Sequence, residues 1–442
     1  MIGGRAALAE SKSFHRFLVV WSGQLLSVIG NGLTGFALGV YAFERTQTAT
    51  SAALAVLLSF LPSTLLWPIG GVLADRLDRR LIMAASDLGS ALGPAFILSC
   101  LLLGEPELWH IYLGVTVSSV FTGFHTPAYK ATVTDLLTKE QYSRGSGLIQ
   151  LAESSRYLLS PFLAGIMITY FNIETVLAID IGTFVLACLA VLAVRKRMTP
   201  PELARSRRPW LEELLEGWHA VTANRGVLLL ILIISCVTFF LGFLQALIGP
   251  MVLSFTDAEI LGAIQSICAV GMLLSSLLIG MFSVGRRYAD LLAAGLAVAG
   301  LSLSLLGMTT SVYFITSAGF LFLASLPFVN MSCDVLVRSN IPGDKQGRVW
   351  GIVGILSQFG FIAAYALSGP LADRGFNPLL AEGGPLASSV GRFIGTGPGR
   401  GIGLLFIISG LMVVLTAIIT AGIPSVRALA RHVSEEAAGK TR

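Results

Sequence analysis

Charge is scarce in this chain. Only 12% of its 442 residues are Asp, Glu, Lys or Arg, about half of the ~25% typical of soluble domains, and no polar stretch is long enough to form a soluble domain. With 54% hydrophobic residues, that scarcity excludes a water-soluble globule and makes this a membrane protein. Cysteine is equally sparse. Cys100, Cys188, Cys236, Cys268 and Cys333 all lie in apolar runs without paired spacing, which excludes a disulfide framework or a zinc site and leaves them as packing residues. The five histidines are scattered, and neither HExxH nor GxSxG occurs, so hydrolase chemistry has no visible apparatus. "AGKT" (Ala438 to Thr441) lacks the first glycine of a phosphate loop. "GNGLTG" (Gly30 to Gly35) matches GxGxxG but lies inside an apolar helix and not after a strand, so a dinucleotide site lacks its context. Those glycines, with Gly39, read as close helix packing. No cofactor and no metal is expected.

What the chain has in abundance is long apolar runs. A membrane span needs about 20 such residues, and twelve stretches qualify: 17–43, 50–73, 81–103, 108–124, 144–170, 173–194, 226–254, 259–283, 289–309, 312–335, 347–371 and 401–423. The first follows "MIGGRAALAESKSFHRF" with no small-residue cleavage site, so it reads as a retained helix with the N-terminus in the cytoplasm. Assigning alternate loops puts 25 of the 30 basic residues inside, with Arg45, Arg374, Arg392 and Arg400 outside and Arg156 within a span. That asymmetry obeys the positive-inside rule and places both termini in the cytoplasm. The net charge of +5 serves topology and the anionic inner leaflet, and nucleic acid is not an expected partner.

"RKRMTPPELARSRRPWLEELLEGWHAVTANR" is the longest polar interruption, with a double proline and six basic residues between Arg195 and Arg208. It divides the chain into residues 1–195, a cytoplasmic linker 196–225, and residues 226–442. Within the linker Leu211, Leu214, Leu215, Trp218 and Val221 recur at helical spacing, the pattern of an amphipathic helix on the inner membrane face. The halves repeat each other faintly. Arg144 and Gly147 match Arg348 and Gly351 at an offset of 204; Tyr157, Ser160, Leu163 and Ala164 match Tyr365, Ser368, Leu371 and Ala372 at an offset of 208. Pro127 and Pro327 precede the same loop in each half, and "GMFSVGRRY" is a worn counterpart of the stretch around Gly71. Two six-helix bundles in tandem is the economical reading.

Five of the eleven residues in "GGVLADRLDRR", Gly70 to Arg80, are charged. The stretch resembles the loop signature of the major facilitator superfamily, departing from it at Asp78, where many members carry glycine. Gly71 would let two helices approach closely, Asp75 could accept hydrogen bonds at a neighbouring helix N-terminus, and Arg76, Arg79 and Arg80 would anchor the inner face. The resemblance implies a conformational latch at Gly71, Asp75, Arg76 and Arg80. "TPAYKATVTDLLTKEQYSRGSGL", "VLAIDIGTFVLACLAVL", "QGRVWGIVGILSQ" and "SGPLADR" are similar to the macrolide-efflux-like and enterobactin-exporter-like branch, and "SPFLAG" resembles the proline–glycine element of antiporters. The branch often has an acidic residue in span one where this chain has Asn31.

The resemblance implies an all-α membrane protein of twelve transmembrane helices in a bacterial-type inner membrane. Its partners would be a small-molecule substrate, protons and the lipid bilayer, and a monomer is expected to suffice. The implied activity is proton-coupled export of a small amphipathic or hydrophobic compound, drug-, macrolide- or siderophore-like; an uptake permease of the same fold and a non-transporting receptor are the alternatives. Polar residues inside spans are costly and mark candidates. For the substrate cavity these are Gln24 and Asn31, seven apart on one face of span one, with Gln150, Gln245, Gln265, Asn330 and Gln358; each has helix-to-helix bonding as its alternative. For proton coupling they are Glu153, Arg156, Asp180 and Asp87. Glu153 and Arg156 are three apart and share a helix face, so an ion pair between them is expected. Asp87 is near enough to the cytoplasm to snorkel, and Asp334 reads as interfacial.

Overall fold

A computed structural model describes residues 2–104, 106–138, 141–195, 216, 218–219, 221–281, 288–341 and 346–424. They are almost wholly helical: α1 (Ile2–Thr46), α2 (Ala49–Arg76), α3 (Arg79–Leu103), α4 (Leu108–Leu136), α5 (Tyr142–Leu158), α6 (Ser160–Tyr170), α7 (Ile173–Arg195), α8 (Arg225–Leu253), α9 (Ala258–Met281), α10 (Tyr288–Leu306), α11 (Val312–Asn340) and α12 (Gln346–Pro370). A π turn (Leu371–Phe376), the short α13 (Asn377–Leu380) and α14 (Gly391–Ile394), and α15 (Arg400–Gly422) follow among the described residues. Lipid cannot hydrogen-bond a backbone, so each apolar run must satisfy its own N–H and C=O groups as helix. Ten of the described helices are long and apolar enough to cross a bilayer. With α4 and the α5–α6 pair they make the twelve-helix arrangement of two six-helix bundles.

Several boundaries differ from the sequence reading. Span five is two helices, because Pro161 has no N–H to donate back to Tyr157 and the regular ladder breaks at Leu159. Spans four and ten run on through Pro127 and Pro327 to Leu136 and Asn340, so both prolines lie inside helices. The linker positions Leu211, Leu214 and Leu215, and most of "GMFSVGRRY", lie outside the described residues.

The contacts divide the chain into two compact units: residues 1–46, 54–206 and 258–266 form one, and residues 47–53, 207–257 and 267–442 the other. Lipid removes the hydrophobic drive between helices, so packing rests on close backbone approach at small residues. In the first unit, a Cβ on Gly93 of α3 would overlap the Gly114 carbonyl of α4, and one on Gly89 would overlap the Phe121 ring. One helix turn of "GSALG" thus lays α3 directly on α4. Phe17, Met83, Leu136 and Val191 fill the interior between α1, α3, α4 and α7. Gly35 and Gly39, expected to pack closely, have nothing within 4 Å of a built Cβ.

The second unit repeats the device. Gly300 and Gly307 of and just beyond α10 lie against Gly410 and Gly403 of α15, and Leu230, Ile231, Leu292, Leu336 and Val349 form the core beside them. Arg400 begins α15 and is 2% exposed. Its Nη2 donates to the Gly307 carbonyl at 2.7 Å, placing a cation at the carbonyl end of α10, where the helix dipole favours one.

Candidate functional site

The "GGVLADRLDRR" turn makes other contacts than those expected of Gly71, Asp75 and Arg80. Gly71 has nothing within 4 Å of a built Cβ; its neighbour Gly70 makes the close approach, where a Cβ would come 2.6 Å from the Gly123 carbonyl and 3.0 Å from Phe124 Cα. Asp75 is 52% exposed and, among the described residues, pairs with Arg79 at 3.6 Å. The helix N-terminus is capped instead by Asp78, whose Oδ1 accepts from the Arg80 amide at 3.1 Å. At φ −62 and ψ 107 Asp78 needs no glycine conformation, so its departure from the usual glycine leaves the turn intact. Arg79 donates to Asp135 of α4 at 2.7 Å, and Arg195 of α7 donates to Asp78 Oδ2 at 2.8 Å. Burial alone would push the Asp78 carboxyl up; the hydrogen bonds from Arg195 and the Arg80 amide, with the charges of both arginines, hold it below its usual range. Arg76 is exposed. Arg80, expected as a surface anchor, is buried, and its Nε has no partner among the described residues.

Asp87 does not snorkel. It is 2% exposed because the Gly89 and Gly93 contacts press its helix onto α4. Gln24 Nε2 of α1 donates to Asp87 Oδ2 at 3.2 Å, and His125 Nε2 of α4 stands 3.3 Å from Asp87 Oδ1. Gln24 therefore bonds a helix neighbour, as its alternative reading allowed. His125 escaped the sequence analysis, where it was one of five scattered histidines.

Asp180 of α7 is 1% exposed and packs on Gly30 of α1, where a Cβ would come 2.8 Å from its Oδ1. Thr183 donates to the Asp180 carbonyl at 2.8 Å, while Oδ1 has no hydrogen-bond partner among the described residues. Glu153 and Arg156 are both exposed on α5, and no ion pair joins them among the described residues. The stem of Arg156 lies against Gly32 of α1. Asn31 is half-buried and Gln150 exposed.

In the second unit the Tyr365 hydroxyl of α12 donates to Gln245 Oε1 of α8. Gln358 is half-buried, as is Gln265 in the first unit, and Asn330 is exposed. Asp334 pairs with Arg338 one turn on, at 3.2 Å, with both side chains well exposed. A helix-capping contact of the kind expected of Asp75 is also made by Asp373. The pattern Gly-x-Leu-Ala-Asp-Arg occurs at 71–76 and again at 369–374. In the second copy Asp373 Oδ1 accepts from the Ala49 amide at 3.0 Å, and Oδ2 from the Thr50 amide at 2.8 Å and the Thr50 hydroxyl at 2.6 Å. One carboxylate thus caps the first turn of α2 from 323 residues away. Among the described residues no three His, Cys, Asp or Glu side chains converge where they could hold a metal ion.

The sequence model for the Major Facilitator Superfamily matches residues 20–365. The chain belongs to that superfamily. Among its relatives, this facilitator is 28% identical over 368 residues to macrolide efflux protein A of Streptococcus pyogenes, covering 81% of this chain and 90% of that one. It is 26% identical over 220 residues to the enterobactin exporter EntS of Shigella boydii serotype 18, covering 49% of this chain and 51% of that one. The crystal structure of the nucleoside transporter NupG superposes with a TM-score of 0.69 at 13% identity, covering 92% of this chain and 98% of that one, a likeness of fold. This facilitator is accordingly a multi-pass membrane transporter of the superfamily, with small molecules as its substrate class.

Proposed function

We propose that this facilitator exports a small amphipathic or hydrophobic compound, macrolide-, drug- or siderophore-like, in exchange for protons by alternating access. It acts as a monomer in a bacterial cytoplasmic membrane with both termini inside. The names of its efflux relatives support the direction of transport. The observation that carries proton coupling is the burial of Asp87 and Asp180 inside the first unit, at 2% and 1% exposure. A charge at the centre of a span costs about 2.5–3.5 kcal/mol on insertion scales, and two such acids in one bundle call for a use. Glu153 and Arg156, exposed beside them, are the remaining coupling candidates, and Gly71, Asp75, Arg76 and Arg80 the candidate latch. At about 100 mV one proton contributes about 2.3 kcal/mol, enough for a gradient of roughly forty-fold.

Reconstituted vesicles with an acidic lumen test this reading, with erythromycin as the probe. Protons leaving down their gradient should drive erythromycin inward beyond the accumulation of this weak base in protein-free vesicles under the same pH difference, and collapsing the pH difference should abolish that excess. Erythromycin flux indifferent to the pH difference would remove proton coupling. No flux of erythromycin, a catecholate siderophore or a lipophilic cation would remove the export reading.

A further inference from the structure

Asp87 and His125 meet because Gly89 and Gly93 of the "GSALG" turn have no side chains to hold α4 away. The contact has two unequal sides. Asp87 Oδ2 takes a directed hydrogen bond from Gln24, whereas Oδ1 faces His125 Nε2 at 3.3 Å, and that enclosed nitrogen makes no directed hydrogen bond among the described residues. A buried polar atom left so is expensive. The rest of the histidine is not sealed in, since its side chain is 16% exposed. The ring stacks at 6.0 Å on Tyr129 one turn along α4. The carboxyl of the pair lies eight residues, or about 12 Å of helix rise, into α3.

We propose that Asp87 and His125 form a single proton-binding site, with Gln24 holding the carboxyl in place. The proposal rests on the proton-coupled reading above and names the groups that carry the proton. In the loading step a hydronium ion gives up a proton to Asp87 Oδ1 or His125 Nε2: one O–H bond of the hydronium breaks, one O–H or N–H bond forms on the pair, a water molecule is left, and the net charge of the pair rises by one; release reverses it. Sharing one proton between the two atoms replaces the undirected contact with a hydrogen bond. Two groups this close titrate as a pair and not singly. Among the described residues the other titratable groups near them are Cys188 of α7 and Tyr129 of α4, with the exposed Glu153 of α5 beyond Tyr129. Arg80 is buried two turns earlier on α3. α2, which packs on α4 at Gly70, has no titratable residue between Ala49 and Ala74.

An infrared pH titration of the purified full chain in detergent tests this without any substrate. The carboxylic C=O signal should contain one component that titrates with pH, disappears in Asp87→Asn, and remains in Asp180→Asn. In His125→Gln the midpoint of that component should move by about one pH unit or more, the scale on which a charge at contact distance acts. A purely structural histidine would leave the midpoint where it is. A carboxyl signal unchanged by Asp87→Asn, or a midpoint indifferent to His125→Gln, overturns the proposal. If Asp87→Asn does not fold, His125→Gln decides alone, a moved midpoint supporting the site and an unmoved one overturning it. The erythromycin assay separates this from the broader reading. Wild-type vesicles that pump while the titration fails refute only the Asp87–His125 site, and a successful titration beside inert vesicles refutes only proton-driven export.

Discussion

Arg195 Nε donates to Asp78 Oδ2 at 2.8 Å, joining the last residue of α7 to the residue that caps α3. Because this carboxyl is held below its ordinary value of 3.8, its stabilising contribution is complete above that pH and is lost as the pH falls through the lower folded value. Asp78→Ala should therefore destabilise the protein at neutral pH by about 1 kcal/mol, the usual worth of such a cap. Thermal melts of wild type and variant should draw together as the pH falls from the ordinary carboxylate value and converge below the lower folded one; a difference that persists there would mean the carboxylate charge is not what stabilises the turn.

Asp373 and Gly369 should matter to stability where their sequence counterparts Asp75 and Gly71 do not. Asp373→Ala removes the acceptor for three hydrogen bonds and should lower stability by roughly 1–2 kcal/mol. Gly369→Ala would push a methyl to 2.5 Å from Thr50 Cα, whereas Gly71→Ala meets nothing within 4 Å. Melting temperatures in detergent should fall for both second-copy variants and hold for Gly71→Ala and Asp75→Asn.

Asp75→Asn should nonetheless impair transport while leaving expression intact, because a latch biases conformations and contributes little to insertion. Erythromycin flux at the wild-type rate in that variant would reduce the turn to a topological anchor.

The basic residues predict sidedness. A cysteine at Thr138, placed in a Cys-free background, should react with an impermeant maleimide only from the cytoplasmic side, and one at Ser388 only from outside. Reaction of the Ser388 position from the cytoplasm alone would invert the topology.

Gly30 and Gly35 offer a contrast within α1. Gly30→Ala puts a methyl into Thr183 and Asp180, whereas Gly35→Ala meets nothing within 4 Å. The first should lower yield and melting temperature and the second should be silent; equal behaviour would mean that α1 does not pack on α7 at Gly30.

The sequence by itself determined the helices, the superfamily and the polar residues worth weighing. A lipid solvent forces any 20-residue apolar run into a helix whatever its neighbours do, so composition alone marks the spans and the signature around Gly71 marks the family. Tertiary structure alone decided which side chains meet. Successive residues point about 100° apart around a helix, so Gly70 and Gly71 face different neighbours, and no local pattern says which one touches α4. The same holds for Asp373, which caps a helix more than three hundred residues away in the chain while Asp75, in the same hexapeptide, lies open. Arg400 counted as a loop charge until Gly307 and Gly403 were seen to enclose it. His125 has nothing around it in the sequence to suggest a partner; the partner lies on α3, and only the rotation and close approach of the two helices bring Asp87 to it.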